Sequence, residues 1–245
     1  MDLTICLWLW KGWRPVYTAE HVNTTARMLR DFAGVPHRTV CITDMPQGIT
    51  ECDTFPLWPE PPGLVTTGRP NCWRRIRLFD PKIAGQLGSR LLSIDCDMVA
   101  MQTLRPLLEC RDPFRIAKGH FARYNGSMWI MDAGVHPNVW QDFDPARSPR
   151  RCRVAAHPDR PGVRMVGSDQ VWLSLAVQPK APTWGRPDGL MSYAKHSVSY
   201  RDSDQARIWF FAGGIKPWSK QCRHVLPRVY RRYMEYWGGN KGPTE

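Results

Sequence analysis

Apolar residues in this chain come in short, dense runs separated by charged or Gly/Pro-rich segments. Leu3–Trp10 (LTICLWLW) reads as the first strand. Thr18-Ala19-Glu20 opens a helix running to about Phe32, with Val22, Ala26 and Leu29 on one face. Thr39–Thr43 (TVCIT) is a second strand, and Asp44–Gly48 a turn. The Pro/Gly-rich stretch from Phe55 to Pro70 predicts irregular chain. Trp73–Phe79 predicts a helix ending near Pro81, and Leu91–Ile94 the next strand. Strand, helix, strand, helix, strand predicts an α/β unit on a largely parallel sheet. Ligands of such sheets sit beyond the carboxyl ends of strands, where Lys11, Asp44, Asp95 and Asp97 fall.

The second half is choppier. Ser127–Met131 predicts a short strand, preceded by Tyr124-Asn125-Gly126. Residues 144–164, rich in Arg and Pro, predict an exposed loop. Gly167-Ser168-Asp169-Gln170 reads as a helix N-cap region leading into Val171–Val177. Ile208–Ala212 is the last strand, followed by Gly213-Gly214-Ile215-Lys216-Pro217-Trp218, and Cys222–Trp237 predicts one basic, aromatic helix.

The densest chemistry lies in RLLSIDCDMV, residues 90–99. Successive side chains of an extended chain alternate faces, so Asp95 and Asp97 point the same way. Two acids there would repel each other and raise one pKa. A hard divalent cation resolves that conflict. The plain alternative is a strand end whose acids face solvent or pair with arginines.

Composition narrows the class. A hydrophobic content of 42% in 245 residues supports a real core, and the 12 Trp are by default core residues. No apolar run approaches the ~20 residues of a membrane helix, and Asp2 stands where a signal peptide would be basic. The eight cysteines form no C-x-x-C pair, which argues against zinc; Cys6, Cys41 and Cys96 fall in strand patterns as small core residues. Reduced thiols and no membrane partner predict a soluble, cytoplasmic protein. The net charge is +12, split as +3 over residues 1–120 and +9 over 121–245. That field favours polyanionic partners, unless it reflects only the Arg usage of a GC-rich genome.

In this order the pieces resemble the GT-A fold glycosyltransferases, especially the glycogenin-like and bacterial galactosyltransferase-like family 8, and among these the short, phage-associated members. Trp73–Phe79 followed by Ser93-Ile94-Asp95-Cys96-Asp97 looks like that family's basic helix and D-x-D. Asn125-Gly126-Ser127 resembles its N-x-G motif, Asp169-Gln170 its D-Q pair, and Gly213–Trp218 its G-x-x-K-P-W ending. Two departures stand out: Phe210 occupies the place of a metal-binding histidine, and N-x-G reads Asn-Gly-Ser. The resemblance implies a single GT-A domain over residues 1–220, with a mixed, mostly parallel sheet flanked by helices. Its nucleotide-sugar half is 1–110 and its acceptor half 111–220; a basic aromatic helix and tail follow over 221–245.

The resemblance further implies a UDP-sugar donor, with Mn²⁺ or Mg²⁺ held by Asp95 and Asp97. Leu7, Trp8, Lys11, Tyr17, Thr43 and Asp44 would line the donor pocket. Arg75 or Arg77, Gly213 and Lys216 would meet the diphosphate. Asn125, Asp169 and Gln170 would orient sugar and acceptor as catalytic groups, with the anomeric configuration retained. Each residue has a plainer reading: Lys216 as a turn cation, Asp169 as a helix cap, Tyr17 and Trp8 as core, and the arginines as a solvated face. His120, His136, His157, His196 and His224 show no ligand spacing and read as structural.

For the acceptor, Arg150, Arg151 and Arg153 form one basic segment, with Arg147. Arg228, Arg231 and Arg232, with Tyr230, Tyr233 and Trp237, form another. Cations interleaved with aromatics suit a phosphate backbone and an extruded base. The plainer reading of the second is an amphipathic helix with its aromatics on the core. Charge and resemblance together predict transfer of glucose to 5-hydroxymethylcytosine or a related hydroxymethylpyrimidine in phage DNA, in the host cytoplasm. The alternatives are a protein or saccharide acceptor, or a non-catalytic nucleic-acid-binding protein on a degenerate transferase scaffold.

Overall fold

In the computed structural model, the chain is described over residues 3–12, 17–62, 64, 72–193, 204–211 and 213–239. Ala212, His196, residues 13–16, most of the Pro/Gly-rich stretch beyond 62 and the residues beyond 239 lie outside the described residues.

The core strand is β1 (Leu3–Leu9), in which every residue is buried. It pairs in parallel with β2 (His37–Thr43) on one side and β4 (Arg90–Ile94) on the other. Beyond β2 lies β3 (Asp53–Pro56), also parallel. Beyond β4 come β7 (Tyr124–Asp132), β6 (Phe114–Lys118) and β8 (Thr183–Trp184), giving the order β3-β2-β1-β4-β7-β6-β8 among the described residues. β7 is antiparallel to both β4 and β6, and the other pairings are parallel. The sheet is therefore mixed and mostly parallel, as expected. A small second sheet orders β5 (Val99–Ala100), β10 (Ile208–Phe211) and β9 (Leu190–Tyr193) as β5-β10-β9.

Alternation along β1 sorts the core into two layers. Leu3, Ile5, Leu7 and Leu9 join the layer of α1 (Ala19–Phe32). Cys6 and Trp8 join the layer beneath the 3-10 helix Trp73–Phe79, α2 (Pro81–Leu87), α5 (Ser148–Val154) and α6 (Asp169–Ala176). This is why the strand reads as continuously apolar. α1 buries Val22, Ala26 and Leu29 as its periodicity predicts, and its start is closed by Thr18 and the His21 ring. α3 (Arg105–Leu108) and α4 (Asn138–Gln141) are single turns.

One expectation holds and three are corrected. The helix Trp73–Phe79 ends just before Pro81 as expected, as a 3-10 helix; Pro81 then occupies the first turn of a separate helix, α2, where its missing N–H is not needed, and Asp80 caps that helix by accepting from the Lys82 amide at 3.0 Å. The stretch expected to be irregular from Phe55 begins inside the edge strand β3, whose last two residues are Phe55 and Pro56. Residues 144–164 are not all loop: Asp144 accepts from the amides of Ala146 and Arg147 at 2.8 and 2.9 Å, and α5 follows with Ser148, Pro149 and Cys152 buried. The tail forms α7 (Lys220–Val225) and α8 (Pro227–Tyr236), because Pro227 has no amide proton to continue one helix.

Candidate active site

The carboxyl ends of β1, β2 and β4 share one edge of the sheet, and the strand direction reverses at the β4–β7 pairing. Both Asp95 and Asp97 emerge there, directly after Ile94. The Asp95 amide donates to Ser127 O at 3.0 Å, which docks β7 against the acidic turn. β7 is bulged at this point. Between the pairs Ala117–Asn125 and Ile116–Trp129, residues Gly126, Ser127 and Met128 have no partner on β6. Bulges aim side chains at sites of this kind. Asn125 Oδ1 accepts from the Ser127 amide at 3.0 Å.

Arg75 links the two halves of the chain. Its side chain is 5% exposed; one Nη donates to Asp95, and the other lies 2.9 Å from Asp169 Oδ2. The second contact meets ion-pair distance without hydrogen-bond alignment, so charge holds it and Asp169 Oδ2 keeps no hydrogen-bond donor. The guanidinium also lies over the Trp129 ring at 5.3 Å. Burial pushes the Asp169 carboxyl up, against the pull of Arg75. Burial also opposes the Arg75 charge, but Asp169 and Asp95 more than offset it and hold its pKa well above the usual value.

Asp97 is the deeper acid, 2% exposed. Its Oδ2 accepts from Tyr17 Oη at 2.8 Å and from Lys216 Nζ at 2.5 Å, and Lys216 also donates to Tyr17 Oη at 2.8 Å. Burial raises the Asp97 carboxyl, with Lys216 opposing; Tyr17 is raised by burial and then by Asp97. Trp218 fixes the Lys216 turn: its ring lies 5.9 Å from Tyr17, 4.1 Å from His21 and 5.5 Å from the buried Tyr233 of α8. Gly213, at φ 72°, makes the left-handed turn into this segment.

The remaining expected residues divide. Lys11 and Asp44 are exposed at neighbouring strand ends, joined by a 2.9 Å bond from the Lys11 amide to Asp44. Thr43 Oγ1 accepts from the Met45 amide at 2.8 Å. Leu7 is fully buried, and Trp8 is buried and donates to Ser93 Oγ at 2.9 Å, so both side chains serve the core. Arg77 turns away, over the Trp140 ring at 4.3 Å and toward Asp80. Gln170 bends back to donate to Val166 O. The two arginine groups lie in different layers. Arg150, Arg151 and Arg153 are exposed on α5. Arg228 and Arg232 of α8 pair with Asp204 and Glu235, and Arg231 is exposed. Tyr233 packs in the α1 layer, with Tyr230 and Trp237 partly buried against it.

Sequence reasoning missed three contributors. Ser168 Oγ accepts from the Cys72 amide at 2.9 Å, pinning the 3-10 helix to α6. His21 lies beneath Trp218, and Trp129 lies beneath Arg75. Only topology brings these together; no spacing in the chain signals them.

The implied metal is tested by the donor set. No group of three or more His, Cys, Asp or Glu capable of holding a metal exists among the described residues, and Phe210 is 1% exposed in the core. The carboxylates of Asp95 and Asp97 are oxygen-only ligands on one turn, each engaged through one oxygen. Such a pair fits a hard cation that keeps water and phosphate oxygens as its other ligands.

No known protein family matches the sequence, and no curated protein does. Solved structures do match the fold. The galactosyltransferase LgtC, in complex with donor and acceptor sugar analogs, aligns over 99% of this chain and 98% of its own, at a TM-score of 0.59 and 11% identity. The glycosyltransferase GlyE of Streptococcus pneumoniae TIGR4 aligns over 95% of this chain and 60% of its own (TM-score 0.55, 12% identity). The bifunctional glycosyltransferase WbbM aligns over 95% and 52% (0.53, 10% identity). The fold is that of the GT-A glycosyltransferases. Among the described residues no helix is long and apolar enough to cross a membrane.

Proposed function

We propose that this chain is a glycosyltransferase that moves a hexose, glucose in the leading reading, from a UDP-sugar to a hydroxyl acceptor. The observation that carries the reading is the convergence of Arg75, Asp95, Asp97, Asp169 and Lys216 at one edge of a GT-A sheet. The halves 1–110 and 111–220 would serve donor and acceptor. Lys11, Tyr17, Thr43 and Asp44 edge the donor side, with Gly213 turning Lys216 toward the diphosphate. Lys216 would place a positive charge at that leaving group and stabilise it as it departs. A divalent cation, Mn²⁺ or Mg²⁺, held by Asp95 and Asp97 would supply Lewis-acid neutralisation of the same diphosphate.

Asp169 Oδ2, buried without a hydrogen-bond donor, is the natural acceptor for a sugar hydroxyl. Asn125 and Gln170 would orient the sugar and acceptor with it. Retention of configuration follows from the family resemblance. For the acceptor we propose 5-hydroxymethylcytosine or a related hydroxymethylpyrimidine in DNA, supported by the net charge of +12 and the exposed arginines of α5.

A panel of nucleotide sugars with Mn²⁺, scored for nucleotide release, tests the donor half, with Asp97→Ala as the inactive control. Release from no sugar nucleotide would support a non-catalytic scaffold instead. Transfer from UDP-glucose to hydroxymethylcytosine DNA at low salt tests the acceptor. Transfer only to saccharide or protein acceptors would replace it.

A further inference from the structure

Large hydrophobic side chains exposed to solvent are few among the described residues, and most of them cluster. Phe121, Val154, Val163 and Val166 are 40%, 68%, 41% and 61% exposed. Three backbone segments bring them together. The Val166 amide donates to Phe121 O at 2.8 Å, the Met165 amide to Ala155 O at 2.9 Å, and the His157 amide to Val163 O at 2.7 Å. An Ala156–Arg164 bridge closes the hairpin. An apolar patch maintained on a protein surface marks a contact site.

The surroundings are cationic. Arg150, Arg153 and Arg164 are exposed around the patch, and Arg151 lies over the Trp172 ring. The acids nearby are already engaged: Asp159 with Arg123 and Lys180, Asp144 with Arg147. The patch also adjoins the reaction centre, because Gln170 donates to Val166 O and its neighbour Asp169 is held by Arg75.

We propose that this surface docks the nucleic-acid acceptor. Arg150, Arg153 and Arg164 bind phosphates, and the Phe121–Val166 ridge fills the gap left by the extruded base. The assignment rests on the DNA-acceptor reading above. Its physical reason is access. Asp169 is 3% exposed, so a base stacked in a duplex cannot reach it without leaving the stack. Apolar wedges between base steps are the known means of holding such a gap open.

The experiment uses the full chain, UDP-glucose, and hydroxymethylcytosine oligonucleotides in single- and double-stranded form, with the melting temperature as folding control. Binding should weaken with salt, and Arg150→Ala with Arg153→Ala should reduce the slope of log affinity against log salt by about 2. Phe121→Ala with Val166→Ser should lower transfer to the duplex about tenfold and transfer to the single strand by much less. If the ridge variant treats both forms alike while wild type glucosylates DNA, the ridge assignment alone fails. If wild type releases UDP yet modifies neither form, the DNA-acceptor reading fails and the surface assignment with it. Binding to vesicles of anionic phospholipid but not to oligonucleotides also overturns the proposal.

Discussion

Lys216 Nζ stands 2.5 Å from Asp97 Oδ2, on the same oxygen that Tyr17 Oη reaches at 2.8 Å. The second acid of the D-x-D pair is thus neutralised by the protein's own cation, as the first is by Arg75. A divalent ion approaching the donor-free site must compete with that ammonium. In the proposed reading a bound diphosphate would draw Lys216 away and add oxygen ligands. Wild type should therefore bind Mn²⁺ weakly without nucleotide and more tightly with UDP. Lys216→Met should tighten donor-free Mn²⁺ binding by about tenfold, the scale of one charge-assisted hydrogen bond, and weaken UDP. Electron paramagnetic resonance titration of free Mn²⁺ reads this directly. Unchanged donor-free affinity in the variant would contradict it.

Removing the Arg75 charge should do more harm than removing either acid. Arg75→Met strands Asp169 as a buried, unpaired charge, and breaking a buried pair from one side costs about 3–5 kcal/mol. Asp169→Asn leaves no such charge and should cost less. Urea denaturation of both variants checks the order. Arg75→Lys keeps the charge but loses the planar fork that reaches two carboxylates, so it should recover only part of the loss.

Gly126 is required by proximity rather than by backbone conformation. A Cβ at this position would lie 2.9 Å from Asp169 Oδ2 and 3.2 Å from Arg75 Nη2. Gly126→Ala should force the ion pair apart at an overpacking cost of about 1–3 kcal/mol. If these groups serve the proposed reaction, displacing them should also slow nucleotide release about tenfold or more. A variant with wild-type turnover and melting temperature would show that the pair moves freely.

Burial lowers the His21 pKa to about 4, with Lys216 a minor contributor in the same direction. The imidazole is thus neutral in the native state, while the unfolded chain takes up a proton below about 6.5. The depressed native value means that stability is fully present above about 6.5 and is lost as pH falls toward 4. The loss is on the order of 2–3 kcal/mol. Melting temperatures at pH 7.5 and 5.0 should separate for wild type and converge for His21→Gln.

The first half of the chain was readable because its signals are local. β1, α1, β2 and β4 declare themselves by continuous or periodic apolar residues, and the strand end at Ile94 announces Asp95 and Asp97. Family order then pointed to Arg75, Asp169 and Lys216. Short or half-buried elements were not readable. β3, β8 and β9 have four residues or fewer, too few to show a period, and α5 hides one buried face under a run of arginines.

The sequence by itself determined an α/β sheet with a pair of acids at the end of a buried strand, since burial pattern and strand alternation are properties of neighbouring residues. Only the tertiary structure decided how those acids are neutralised. Arg75 lies 20 residues from Asp95, and Lys216 lies 119 from Asp97. No local rule links such distances. Chain reversal at β7 and the packing of Trp218 on α1 and α8 bring the partners together, because buried charges are stable only where opposite charges meet them.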